Sequence, residues 1–310
     1  MKGKDFLSVA DLSSEEVLQM VQKAMAMKAE VSARPLEGKQ FALLFEKPSL
    51  RTRVSFEVGI RQMGGQCVYL SKDDVGLGTR EPEEDIARVL DRWVDGIIAR
   101  VYSHRSLEIL SKHTSIPVLN ALSDMEHPCQ AMADMLTIQE HKGSFDGLRV
   151  AFIGDGNNVA CSLSLACASV GADFVLASPK DYQMPSPVLE EAKRRAAVNE
   201  SSVDWVETPA EAVEGADVVY TDTWVSMGHE AEKAERLPIF KDYKVDESLV
   251  KGAKSDFVFM HDMPAYRGQE VSDGMIDHPR SVVFDQAENR LHAQKAILAE
   301  LFSNISNISK

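Results

Sequence analysis

The stretch FALLFEKPSLRTRVSFEVGIRQMGGQCVYL (41–70) decides the fold class. FALLFE (41–46) is an unbroken apolar run and reads as a buried strand. SFEVGIRQMGG (55–65) has helical spacing and is stopped by Gly64 and Gly65, and CVYL (67–70) is the next strand. Strand, helix and strand in direct succession form the unit of a parallel sheet, because parallel neighbours need a crossover. Outward from there the order repeats. DGIIAR (95–100) and IPVLNAL (116–122) are short buried strands, and the second leads through HPCQ into the helix AMADMLTIQEH, with Pro128 suited to its first turn.

KGSFDGL (142–148), with two glycines and small polar residues, is the candidate hinge. Beyond it a second series runs through RVAFIG (149–154), DFVLAS (173–178), a helix around PVLEEAKRRAA, ADVVYTD (216–222) and DFVFMHD (256–262). Ahead of the first strand, Ser13 and Glu16 form a capping box for an amphipathic helix bearing Val17, Met20, Val21 and Ala24. At the other end a helix starts behind Asp285 and Glu288. Its Leu291, Leu298, Leu301 and Phe302 share one face, as docking back on the first domain requires. The expectation is an α/β protein of two doubly wound parallel-sheet domains joined by a hinge. The first domain spans 1–141 with the C-terminal helix 286–310, and the second spans 142–285.

With 310 residues, 44% of them hydrophobic, the chain can bury two cores. Its net charge of −14, spread along the whole length, argues against nucleic acid or an anionic membrane as partner, so an anionic ligand needs a local basic cluster. The N-terminal MKGKDFLSVADLSSEE has no apolar core of signal-peptide length, and no apolar run approaches a membrane span, which points to the cytoplasm. Cys67, Cys129, Cys161 and Cys167 lack paired spacing, and the eight histidines never gather with other ligands, so neither disulfide, metal nor other cofactor is expected.

Five segments can carry chemistry. In PSLRTRVSFE (48–57), Ser49, Arg51, Thr52 and Arg53 crowd a helix N-terminus. Free N–H groups, hydroxyls and the helix dipole favour an anion there, and arginine forks suit phosphate; the plain alternative is an N-cap serine with two solvated arginines. MEHPCQ (125–130) puts His127 and Gln130 at another N-terminus. The dipole keeps that imidazole neutral, and the two groups can polarise a carbonyl, although a histidine before proline is often only a cap. IGDGNNVA (153–160) fits the dinucleotide glycine pattern in part, but DFVLAS is followed by Pro179 and Lys180 where a ribose-binding acid belongs. A nicotinamide cofactor is therefore disfavoured, and the loop is left to another ligand through Asn157 or Asn158, or to tight-turn packing. DTWVSMG (222–228) and MHDMPAYRG (260–268) leave the carboxyl ends of strands, where Asp222, Ser226 and Asp262 can meet a cationic amine; taken singly, such aspartates are usually caps.

In this order the segments resemble the aspartate/ornithine carbamoyltransferase superfamily, and within it the ornithine type, over nearly the whole chain. The family pattern of Ser-Thr-Arg-Thr-Arg, an arginine after the third strand, His-Pro-Cys-Gln, Asp-Gly-Asn-Asn, Asp-x-x-x-Ser-Met-Gly, His-Cys-Leu-Pro and Glu-Asn-Arg is mostly intact. By that resemblance Ser49, Leu50, Arg51, Thr52, Arg100, His127, Gln130 and Arg290 bind carbamoyl phosphate, while Asn158, Asp222, Ser226, Met227, Asp262 and Met263 fall at the ornithine site. Arg51, Arg100, His127, Gln130 and Asp262 would act in catalysis, no cofactor is implied, and a homotrimer or a multiple of trimers is expected. The Ser-Met-Gly loop favours ornithine over acetylated, succinylated or diamine acceptors. Three positions depart from the pattern. Leu50 replaces a threonine. Gly76 stands where a glutamine often reaches into a neighbouring subunit, and Arg80 can substitute for it. Asp262 stands in the place of the acceptor-side cysteine. The alternatives are another amine acceptor such as putrescine, a non-catalytic binding relative, or a nicotinamide-dependent dehydrogenase using IGDGNN.

Overall fold

A computed structural model describes residues 4–29, 34–225 and 230–302. They fold as two compact units. One comprises 4–12, 18–133 and 290–302, and the other 13–17 and 134–289, so the divisions fall between Ala133 and Asp134 and between Asn289 and Arg290. In chain order the elements are α1 (Ser14–Ala29), β1 (Gln40–Phe45), α2 (Leu50–Gln62), β2 (Gln66–Ser71), α3 (Lys72–Val75), α4 (Glu83–Leu90), β3 (Gly96–Arg100), α5 (His104–Lys112), β4 (Val118–Leu122) and α6 (Pro128–Lys142). There follow β5 (Arg149–Ile153), α7 (Asn158–Val170), β6 (Asp173–Ala177), α8 (Ser186–Val198), β7 (Val203–Val206), α9 (Pro209–Val213), β8 (Val218–Thr221), α10 (Lys233–Phe240), β9 (Val258–Met260) and α11 (Val283–Phe302). Among these residues no helix is long and apolar enough to cross a membrane.

In the first unit β2, β1, β3 and β4 lie side by side in that order, all parallel. β1 is buried from Phe41 to Phe45 and β3 throughout, so both faces of the central strands are covered, as parallel sheets require. The end of α11 packs on this sheet. Phe302 meets Phe41 edge-on at 4.9 Å, and it fits only because residue 96 is glycine: a Cβ there would lie 2.4 Å from the Phe302 ring. In the second unit the order is β7, β6, β5, β8 and β9, again all parallel, over a core including Ile153, Val175, Val219, Phe240 and Phe259. Trp224 and Phe240 stack in that core at 6.0 Å.

Several elements depart from the reading of the sequence. α2 begins at Leu50, well before its apolar periodicity, because the Ser49 side chain accepts the Thr52 N–H at 3.3 Å and caps the helix there. α11 begins at Val283, so Asp285 lies in its first turn. Of DFVFMHD only Val258–Met260 is strand, matching the three residues that pair with β8. The capping box at Ser13 and Glu16 is present, with bonds of 2.9 and 3.2 Å.

Candidate functional site

Each sheet has a point where the chain reverses its direction of travel, and ligands of open parallel sheets collect there at the carboxyl ends of the strands. In the first unit that point lies between β1 and β3. The turn after β1 supplies Ser49 and the first turn of α2, where Leu50 contributes a free N–H while its side chain is exposed and Arg51 is half-buried. β3 supplies Arg100 from its last position. The register with β4 slips between Ala99 and Arg100, an irregularity of the kind that re-aims a side chain.

The side chains meet at Thr52. Its Oγ1 accepts from Arg100 Nη1 at 3.2 Å and from Arg290 Nη2 at 3.0 Å, and it lies 3.0 Å from Ser49 Oγ. Arg290 Nη1 also donates to Gln130 Oε1 at 2.5 Å. Thr52, Arg100, His127, Gln130 and Arg290 are each at most 4% exposed. Two buried guanidiniums that meet at one hydroxyl concentrate positive charge beside the N-terminus of α2. An anion with several oxygens suits this place. His127 precedes Pro128 at the start of α6. Burial, reinforced by Arg290 and Arg100, depresses its pKa far below the ordinary histidine value, so it is a neutral imidazole near pH 7. The helix dipole argued from sequence has the same sign, but burial and the arginines are the larger causes. Cys129 next to it is inert: burial pushes its thiol up to about 12, and Sγ donates to Asn120 O at 3.3 Å.

In the second unit the reversal lies between β5 and β8. Asn157 caps α7, its Oδ1 accepting from Val159 N and Ala160 N at 3.0 and 3.1 Å, and its Nδ2 donates to Asp222 Oδ2 at 2.7 Å. Asn158 is the first residue of α7 and half-buried. Asp222, just past β8, is buried, and its Oδ1 accepts from Thr223 N at 2.6 Å. Beyond β9 come His261, Asp262 and Met263. One donor atom each from Asp222, His261 and Asp262 lie within 4.8 Å of one another. Ser226 and Met227 lie outside the described residues.

Proximity alone would let these three hold a divalent cation, but the hydrogen bonds define a different arrangement. His261 Nδ1, 3.5 Å from Asp262 Oδ1, accepts the Met263 N–H at 2.9 Å, and Nε2 faces Glu270 Oε1 at 3.3 Å. Gln286 Oε1 accepts from His261 N at 2.9 Å, and its Nε2 donates to Asp134 Oδ1 at 2.8 Å and Tyr220 OH at 2.9 Å. Burial works against a charge on His261, while Asp262, Glu270 and Asp222 favour one and lift its pKa to about 9. The Met263 N–H aimed at Nδ1 requires that atom's lone pair. The hydrogen bond from Met263 and the surrounding carboxylates thus make opposite demands on the ring. Burial, and after it Asp262, raises the carboxyl pKa of Asp222 well above the ordinary range.

His261, Glu270, Gln286 and Tyr220 were not among the residues singled out from sequence. His261 adjoins Asp262 in the tetrapeptide and was the one within reach; nothing in the pattern links Glu270 to it. Gly156 has a packing reason. A Cβ there would lie 2.4 Å from Met184 N and 2.5 Å from Gln183 C, and Gly156 N donates to Tyr182 O at 2.8 Å. The chain's own 182–184 segment thus lies against Gly156 too closely for any side chain there. Gly76 closes α3 in the left-handed conformation (φ 60°), which explains a glycine at that position, and Arg80 Nη1 donates to Asp74 O at 3.3 Å.

Comparison with known proteins adds to this geometry. The family model described as aspartate/ornithine carbamoyltransferase, carbamoyl-P binding domain, matches residues 4–140, and that described as the Asp/Orn binding domain matches residues 146–301. Ornithine carbamoyltransferase of Pyrococcus horikoshii is 49% identical over 98% of both chains, and that of Bacillus subtilis is 49% identical over 96% of this chain and 93% of its own. The solved ornithine carbamoyltransferase of Pyrococcus furiosus superposes with a TM-score of 0.94 at 49% identity, covering 97% of each chain.

Proposed function

The chain belongs to the aspartate/ornithine carbamoyltransferase family, and we propose that it transfers the carbamoyl group of carbamoyl phosphate to the side-chain amine of L-ornithine, giving L-citrulline and phosphate. The observation that carries the donor half is the convergence of Arg100 and Arg290 on Thr52 beside the capped end of α2. Arg51, Arg100 and Arg290, with Ser49, Thr52 and the N–H group of Leu50, hold the phosphate. His127 and Gln130, with the Thr52 hydroxyl, hold the carbamoyl group. The amine nitrogen attacks the carbamoyl carbon, oxyanion charge develops on the carbonyl oxygen, and the carbon–oxygen bond to phosphate breaks as the nitrogen loses a proton. Neutral His127 serves as a donor to that oxyanion, and the arginines stabilise the leaving phosphate.

The acceptor takes Asn158, Asp222, Asp262 and Met263, joined by Ser226 and Met227. Asn157, bonded to Asp222, positions that carboxyl. Asp262 orients the amine and accepts its proton. Because Asp262 stands where relatives by motif have cysteine, a second acceptor amine is the reading to test against ornithine. A panel of ornithine, putrescine, lysine and acetylornithine assayed with radiolabelled carbamoyl phosphate should show citrulline as the dominant product. A higher kcat/KM with another amine would reassign the acceptor, and no transfer to any amine would end the proposal. We also propose that the protein works in the cytoplasm as a homotrimer or a multiple of trimers. The exposed apolar side chains Leu50, Val54 and Val58, one helical turn apart on α2, support self-association.

A further inference from the structure

We propose that Glu126 is a positioning residue for His127, and that the segment of chain ahead of α1 belongs to the donor site because it holds that carboxylate. The inference rests on the reading of His127 as the hydrogen-bond donor to the carbamoyl oxygen. His127 stands at the end of a turn that has no sheet ladder of its own, since β4 ends at Leu122 and α6 begins at Pro128. The proline restricts His127 to extended backbone, which fixes a torsion but not a place.

The place comes from hydrogen bonds made by the rest of the turn. Ser123 closes it: Ser123 N donates to Glu126 O at 2.9 Å, and Ser123 Oγ accepts from Glu126 N at 3.2 Å and lies 2.8 Å from Nδ1 of His104 at the start of α5. Glu126 then ties the turn to the segment ahead of α1. Its Oε1 accepts from Ser8 Oγ, and its Oε2 accepts from Val9 N at 3.0 Å. That segment is itself anchored. Phe6 N donates to Val118 O and Asn120 N to Phe6 O, both at 2.9 Å, so the chain there runs parallel beside β4, and Asn120 Nδ2 donates to Leu7 O at 2.8 Å. Ser8 caps a single turn of 3₁₀ helix over Val9–Asp11, and Phe6, Val9 and Leu12 are at most 1% exposed. Glu126 is 5% exposed, and a buried carboxylate is costly unless hydrogen-bonded. Beside a site for an anion it also has the wrong sign. Its partners account for it: the carboxylate is turned to Ser8 and Val9, while the imidazole of the next residue feels Arg290 and Arg100. A donor to a developing oxyanion acts only from the right position, and a displacement of about 1 Å can cost on the order of 100-fold in rate. Freed from Glu126, His127 should lose that position, while the arginines and the capped end of α2 go on holding the phosphate.

Steady-state kinetics of the full chain, at a temperature where circular dichroism shows every variant folded, test this. Glu126→Ala cuts both tethers, so kcat should fall roughly 10- to 100-fold while KM for carbamoyl phosphate and for ornithine each stay within about threefold, the pattern of an interaction made in the transition state. Glu126→Gln keeps both contacts, because its carbonyl oxygen can accept from Val9 N and its amide can donate to Ser8 Oγ, and kcat should return to within about threefold of wild type. A tether serving stability alone would lower the melting temperature of Glu126→Ala and leave kcat per folded molecule intact. That result would overturn the inference, as would equal losses of kcat in Glu126→Ala and Glu126→Gln, or a loss carried by KM with kcat unchanged. If Glu126→Ala does not fold, Ser8→Ala decides: it removes one tether and leaves the carboxylate its bond from Val9, so kcat should fall about 2- to 10-fold, and an unchanged kcat is the contrary result. Failure of the wild type to form citrulline would instead remove the assignment of function on which the inference stands.

Discussion

Thr52 is a hydroxyl on which two buried guanidiniums depend. Thr52→Val keeps the shape and removes the acceptor, so Arg100 and Arg290 each lose one hydrogen bond. A hydrogen bond to a charged group contributes about 1.5–3 kcal/mol, so KM for carbamoyl phosphate should rise roughly 10- to 150-fold while KM for ornithine changes little. Thr52→Ser should recover most of the loss, and steady-state kinetics on both substrates would check it. Thr52 was legible from sequence because serine, arginine and threonine all sit within one helical turn of a strand end. Arg290 was legible only through resemblance. It comes from a helix more than two hundred residues away, and no local pattern announces that its guanidinium shares a hydroxyl with Thr52. The His261–Glu270 contact was hidden for a related reason: it joins residues nine apart across an irregular segment, where neither helical nor strand periodicity applies.

Elements were easier to read when they were long and apolar and harder when short. β1 and β5 stood out as continuous apolar runs. α3 with four residues, α9 with five and β7, an edge strand carrying Asp204, did not, because edge strands and single-turn helices bury too little to leave a pattern. The turn from β5 to α7 shows how packing sets an element's start. At Gly156 a methyl would strike the backbone of Gln183 and Met184, which cannot swing aside as a flexible side chain would. Gly156→Ala should therefore destabilise the protein by about 1–3 kcal/mol or more through overpacking. Gly147→Ala is the control: its φ of 66° is unfavourable for alanine, but nothing lies near its Cβ, so the cost should stay near 1 kcal/mol. Denaturant melts of the two variants should rank them in that order.

At the scale of the whole molecule, opposite carboxyl shifts bound the pH range of greatest stability. The arginines beside Glu191, Arg194 first and then Arg195, hold its pKa at about 2, so its stabilisation is present above the ordinary carboxylate value and lost as pH falls toward 2. Asp222 has the reverse sign. Its folded-state pKa is raised, so folding takes up a proton, and stability declines as pH climbs from the ordinary aspartate value through the raised one. Asp222→Asn should remove that decline: between pH 5 and pH 8 the wild-type melting temperature should drop by more than the variant's, and equal drops would show that the carboxyl stays ionised in the fold. The order of the strands has a further consequence, for engineering. With the proposed acceptor cluster at the crossing of β5 and β8, the far margin of the second sheet at β7 is remote from it in strand order. The exposed turn at Glu200 ahead of it is thus ground where a tag, a fluorophore or a fused module can be grafted at little risk to catalysis.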